Sequence, residues 1–315
     1  MKKKTFSILL WVLAVVLTLV FFVYQRLTGP THPLRGAEVF QENQVSYKLL
    51  RSQTIEKTLP VKIKAVDQAV TAFINYKNYK DPNDHWKKKE DEIEMKREGD
   101  FLEGEIPGKT RMAAKIEYTV RVVVDNESFL INKGKSVVAR FKGAVPAFWL
   151  IIHIILMFFS FIFALRTGME ALRKERNYDR LVLITLLVVF VGGMILGPIV
   201  QDYAFGDLWT GFPFGFDLTD NKTLIAFAAW LLAFFLKKKS RWWVLMAVVV
   251  MIIVYLIPHS VLGSEIDYTT GKMKNKYSIE LKRSQDEFKR AQEGLLLLRM
   301  SSRKGVQDEL KRGSG

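Results

Sequence analysis

The chain has 315 residues, a hydrophobic fraction of 49%, a formal net charge of +15 and no cysteine. That length leaves room for about two structural units, and the absence of thiols excludes disulfides, thiolate zinc or iron–sulfur centres and a cysteine nucleophile. The apolar residues are gathered into a few runs with much of the positive charge beside them, so the charge reads as membrane orientation and no nucleic acid is expected as a partner.

Lys2, Lys3 and Lys4 precede an apolar run over residues 6–24, which Gln25 and Arg26 close. The run is long enough to cross a bilayer and lacks a small-x-small cleavage site, so residues 1–26 are expected to be an uncleaved anchor with a cytoplasmic N-terminus.

Residues 27–145 change character. Ile116, Tyr118, Val120 and Val122 alternate with charged or polar residues, as do Val61, Ile63 and Ala65; this is the period of a strand with one buried face. Asp81-Pro82-Asn83-Asp84, Pro107-Gly108 and Asp125-Asn126 supply turns between such runs. Short strands at this spacing predict an all-β sandwich. The pattern Trp86, Met95, Arg97-Glu98-Gly99-Asp100, Gly104-Glu105-Ile106-Pro107 and Lys115-Ile116-Glu117-Tyr118 resembles fibronectin III or immunoglobulin-like modules found outside bacterial cells. The resemblance carries no catalytic residue and implies a surface for a protein partner.

Residues 146–262 hold four further apolar segments, over 148–165, 181–200, 223–236 and 242–257. The expected fold is therefore a polytopic α-helical membrane protein of five spans with an inserted all-β immunoglobulin/fibronectin-like sandwich. Arg166, Arg173, Lys174, Arg176 and Arg180 lie on one connection and Lys237, Lys238, Lys239 and Arg241 on another, while Asp202, Asp207, Asp217 and Asp220 occupy the stretch between. The positive-inside bias places the two basic connections in the cytoplasm, and the sandwich, the 201–222 loop and the C-terminal tail outside it, in the cell (inner) membrane. Gly193 and Gly197 form a G-x-x-x-G suited to close helix packing. Residues 263–315 form a tail. Within 276–300, Ile279, Leu281, Phe288 and Leu295 make an apolar stripe among charges, read as an amphipathic helix on the bilayer or on a protein partner.

The stretch 201–222 is far longer than a turn requires and is rich in aromatic, glycine and acidic residues. Long irregular loops with bulky apolar side chains cover or hold something. Of the four histidines, His32 and His85 read as solvated, whereas His153 and His259 fall near the outer ends of the second and fifth spans, at the depth where this loop emerges. Two imidazoles on separate helices can serve as opposite axial ligands of a haem iron. Aromatic rings of the loop would cover the porphyrin, and Lys222 or Arg140 would pair with a propionate. The same residues have plainer readings. A histidine at a span end packs, Trp149, Trp209, Trp230, Trp242 and Trp243 suit an interfacial belt, and Asp217, Asp220 and Glu265 are an alternative calcium set.

The sequence Ala204-Phe205-Gly206-Asp207-Leu208-Trp209-Thr210-Gly211-Phe212-Pro213-Phe214-Gly215-Phe216-Asp217, followed by Asp220-Asn221-Lys222-Thr223, resembles the tryptophan-rich loop of the haem-handling membrane proteins of cytochrome c biogenesis. Their motif runs into a membrane helix and is flanked by histidines two spans away on either side. Phe205 and Phe216 stand at tryptophan positions and Leu218 replaces a proline. Over residues 148–260 the resemblance implies haem held by His153 and His259 as metal ligands, with Trp209, Phe212, Phe214, Phe216, Asp217 and Lys222 around it. No G-x-S-x-G, P-loop, H-E-x-x-H or G-x-G-x-x-G occurs, so no enzyme is expected. Two functions are left: a haem-binding module of cytochrome assembly or a respiratory complex, and a non-catalytic scaffold or accessory subunit.

Overall fold

A computed structural model describes residues 3–173 and 177–259. The first helix, α1 (Lys3–Thr28), is followed by eleven strands: β1 (Leu34–Phe40), β2 (Asn43–Leu49), β3 (Ser52–Thr54), β4 (Leu59–Ala65), β5 (Thr71–Asn78), β6 (Ile93–Glu94), β7 (Lys96–Glu98), β8 (Phe101–Ile106), β9 (Lys115–Val124), β10 (Glu127–Leu130) and β11 (Val137–Lys142). They form two sheets, ordered β1-β2-β4-β8-β7 and β3-β11-β9-β5-β6, with β10 paired to β9. The parallel pairing of β11 with β3 is an exception among mostly antiparallel neighbours.

Period-two patterning explains the sheets. Leu59, Val61, Ile63 and Ala65 of β4, and Ile116, Tyr118, Val120, Val122 and Val124 of β9, point inward while their neighbours face out. Side chains from both sheets meet in one core, in which Ile63 and Leu102 share an interior with Ile74, Ile116 and Phe141. Tyr118 is fully buried, and its phenol donates to the Leu50 carbonyl at 2.8 Å, as a buried tyrosine requires.

After the strands come α2 (Ala147–Ala171), α3 (Asp179–Val189), a π-helical segment (Phe190–Leu196), α4 (Gly197–Phe205), α5 (Leu218–Leu236) and α6 (Trp242–Leu256). Four helices are long and apolar enough to cross a membrane: α1, α2, the continuous run from α3 through α4, and α5. The fifth apolar segment is a helix of only 15 residues, about 22 Å long at 1.5 Å per residue. It stops because Ile257, which precedes Pro258, is extended, the conformation a following proline imposes.

Two boundaries differ from the sequence reading. The second apolar segment was expected to end at 165, but α2 continues to Ala171 with Arg166 and Glu170 buried inside it. Arg166 donates to Glu170 at 2.7 Å, one helical turn on, and Glu170 also binds Arg173 at 2.9 Å, so the charges are neutralised where hydropathy alone sees an exit. The irregular loop is also shorter than 201–222, because α4 extends to Phe205 and α5 begins at Leu218. Gly206 caps α4 in the left-handed region at φ 83°, and the Asp217 carboxylate caps α5 by accepting from the Thr219 amide at 2.7 Å. The amphipathic helix expected over 276–300 lies outside the described residues.

The helices pack through aromatic contacts such as Phe21 with Phe161 and Phe22 with Phe158, both at 5.0 Å. At one end of the bundle the two-sheet domain rests on the helix ends. There the Gly143 amide donates to the Ala204 carbonyl at 2.8 Å, an approach so close that a Cβ on Gly143 would overlap the Tyr203 carbonyl. Gln25 reaches the Tyr255 carbonyl at the same end, 2.6 Å away. The far end gathers Ser7, Arg166, Tyr178, Asp179 and Lys237, with Lys237 paired to Asp179 at 3.1 Å. The N-terminus and both basic connections therefore share one end.

Removing Glu170 leaves the Arg166 guanidinium buried without its counter-charge. Glu170→Ala should cost roughly 3–5 kcal/mol, read as a lowered thermal midpoint of the detergent-solubilised chain. Replacing both residues, as Arg166→Met with Glu170→Leu, should restore most of the loss.

Candidate functional site

Between the underside of the two-sheet domain and the helix bundle lies a cavity of about 380 Å³. Its floor is apolar, with Ile154, Met157, Val189, Ala226, Met251 and Val254 reaching into the bundle. Its upper wall is polar: Arg140 and Lys142 come from β11, Gln25 from α1, Gln201 from α4, and Asp217, Asp220 and Lys222 from the start of α5. His153 and His259 both line it, so the two histidines singled out in the sequence, more than a hundred positions apart, border one space.

His153 is oriented by the helix opposite. Its Nδ1 lies 2.9 Å from the Gly192 carbonyl. A carbonyl only accepts, so Nδ1 carries the hydrogen and Nε2 keeps the lone pair, the arrangement in which an imidazole is ready to ligate. Gly192 begins the wide turn of the π-helical segment, and the Gly197 amide also donates to its carbonyl. The glycines here divide the work. A Cβ on Gly193 would sit 2.7 Å from Thr223 Cγ2 and one on Gly192 2.9 Å from Leu156 Cβ, so both let neighbouring helices close. At Gly197 the nearest atoms would be 3.9 Å away, the His153 ring among them; this glycine borders the cavity.

His259 follows the end of α6. The residue is exposed where it borders the cavity. Lys222 is buried and donates from Nζ to the Ile257 carbonyl at 2.9 Å, which ties the start of α5 to the segment that carries His259. Arg140 stacks over the Phe205 ring at 5.4 Å.

The loop over 206–217 is held from below by Asp220. Its carboxylate accepts from the Gln201 amide at 2.9 Å and from the Thr210 backbone at 2.7 Å. Trp209 lines the cavity, and its indole donates to the Phe212 carbonyl at 3.0 Å. Phe212, Phe214 and Phe216 do not line it; they are exposed on the outside of the loop, at 63%, 56% and 64%. Thus His153, His259, Trp209, Asp217 and Lys222 converge, and the three phenylalanines do not. The sequence reading missed Gln201, Lys142 and the Gly192 carbonyl. Asp220 was read as an acidic residue of the outward stretch, as part of the loop motif and as an alternative calcium ligand, although its position three residues into α5 is where an acid ties back to a helix start. Asp207, at the start of the loop, is partly buried, and this together with nearby Asp202 raises its pKa.

Among the described residues no three or more His, Asp or Glu side chains are grouped to hold a metal ion, so a metal at the two histidines would have to bring its remaining ligands with it. No family model matches the chain, and no curated protein matches it.

The contrast between the glycines is testable. Gly193→Ala should lower the thermal midpoint by forcing the π-helical segment and α5 apart, and Thr223→Ser, which removes the offending methyl, should partly restore it. Gly197→Ala should be neutral or stabilising by up to about 1 kcal/mol, the helical penalty of glycine relative to alanine.

Proposed function

We propose that this chain is a membrane-embedded haem-binding module with a partner-docking domain outside the cytoplasm. In this reading α1, α2, the α3–α4 run and α5 cross the bilayer. The short α6 is the fifth span, completed by residues 257–259, of which His259 borders the cavity, where irregular backbone is tolerated. The clustering of the N-terminus and both basic connections at the far end supports a cytoplasmic far end in an inner membrane. The two-sheet domain is read as an immunoglobulin/fibronectin-like sandwich.

The observation that carries the haem reading is that His153 and His259 line one cavity, the first with its Nδ1 fixed on the Gly192 carbonyl so that Nε2 keeps its lone pair. The apolar floor suits a macrocycle. Lys222, Arg140 and Lys142 on the upper wall suit its acidic substituents, and Trp209 supplies the covering ring. Haem, when bound, brings an iron capable of one-electron chemistry and four ring nitrogens. The chain would supply the two imidazoles, that of His153 oriented by the Gly192 carbonyl, and the cations that pair with the acids. A role in cytochrome assembly or a respiratory complex follows from the resemblance of the loop.

The alternative is a non-catalytic scaffold or accessory subunit. It draws support from a separate observation: among the described residues β1 pairs only with β2, and it is an edge strand seven residues long with Val39 two-thirds exposed, a template for adding a partner strand.

Purified chain supplemented with haem should show a Soret band that His153→Ala and His259→Ala each weaken or shift. Gly197→Leu, which keeps both histidines and fills the space beside them, should reduce uptake as well. A chain with no Soret band, or histidine variants that bind like the parent, would refute the haem reading. A partner complex that survives loss of both histidines but not of the two-sheet domain would favour the scaffold.

A further inference from the structure

The loop over 206–217 turns Leu208 and its phenylalanines away from the protein while several of its backbone amides bond within the loop or to the first turn of α5. Phe214 and Gly215 amides both donate to the Gly211 carbonyl at 2.8 Å, the Asp217 amide donates to Thr210 at 3.1 Å, and the Phe212 amide donates to the Asn221 side chain at 2.6 Å. Gly211 can enter this fold because it lacks a Cβ, which would lie 2.6 Å from that of Asp220. Leu208, Phe212 and Phe214 are left 57%, 63% and 56% exposed. Exposed aromatic clusters of this kind mark an interaction surface. Backbone amides already satisfied by the protein suit an apolar phase.

The position of the loop identifies the apolar phase. It joins α4 to α5, each part of a helix long and apolar enough to cross a membrane, so its base lies at the level where those helices leave the apolar layer. At the same end of the bundle, Phe148 is 63% exposed beside Trp149, with ring centroids 5.1 Å apart, and Tyr203 is 41% exposed. We propose that the loop is an interfacial anchor that inserts Leu208, Phe212 and Phe214 into the lipid leaflet on the side of the two-sheet domain. The occupant is the headgroup and acyl boundary, into which amphipathic segments sink by roughly 5–10 Å. The proposal rests on the membrane-spanning part of the reading above and is independent of haem. Trp209 and Asp220 hold the loop from the cavity side, so anchoring its outer face fixes the depth at which the cavity sits.

Because the chain has no cysteine, single Phe212→Cys and Phe214→Cys variants of the full chain accept one spin label each. In phosphatidylcholine vesicles, collisions with oxygen should exceed those with a water-soluble nickel chelate at both positions. Ser128→Cys, on the exposed β10, should show the reverse, and Leu187→Cys, exposed about a third of the way along the α3–α4 run, reports whether that run lies in lipid. If Leu187→Cys is lipid-like while 212 and 214 favour the nickel chelate, or are shielded from both reagents, the anchor is refuted and the spanning reading stands. If Leu187→Cys is itself water-like, the spanning reading fails and the anchor with it.

Discussion

The arrangement at the domain end depends on one buried carboxylate. Asp220 gathers the side-chain amide of Gln201, the Thr210 amide and the Thr210 hydroxyl, and thereby ties the end of α4, the middle of the loop and the first turn of α5 into one unit. A buried carboxylate that accepts several hydrogen bonds is worth having only where they all form, since each one lost leaves a desolvated group unmatched. With this tie in place, Trp209 is held at the cavity and the phenylalanines of the same loop are turned outward. Lys222, one half-turn further along α5, meets the Ile257 carbonyl and so fixes the segment leading to His259.

The cavity itself is a consequence of stacking two bodies of unlike chemistry. The helices contribute an apolar floor, and the strand ends of the two-sheet domain contribute a basic ceiling through Arg140 and Lys142. Gly143 sets the separation, because its backbone bond to Ala204 brings the domain as close to α4 as the chain allows. An amphiphilic compartment with charge on one wall and hydrocarbon on the other suits a ligand that has the same polarity. The wide turn beginning at Gly192 adds a carbonyl that orients His153. Such local departures from α-helical geometry recur at functional sites because they present a backbone group sideways.

Much of the architecture was legible in the sequence. The alternation in β4 and β9 is visible because one face of each strand is buried and the other is wet, so hydropathy flips at every residue. The apolar runs were equally clear, since a helix in contact with an apolar phase needs no polar face. Their limits were not. Arg166 and Glu170 look like the end of a span to any measure of hydropathy, yet they neutralise one another inside α2. The loop likewise looked longer than it is, because its ends are helices whose caps, Gly206 and Asp217, are ordinary loop residues when read singly.

The sequence by itself determined that 27–145 would be built of strands, with the period plain in β4 and β9, and where the apolar helices would run, and it singled out His153 and His259, because those properties are carried by local pattern and residue chemistry. Only the tertiary structure decided that these two histidines border one cavity, that the three phenylalanines of the loop face away from it, and that Arg140 and Lys142 roof it. Those outcomes depend on contacts between segments far apart in the chain, set by the hydrogen bonds of Gly143, Asp220 and Lys222. No local pattern records the direction in which such bonds will turn a side chain.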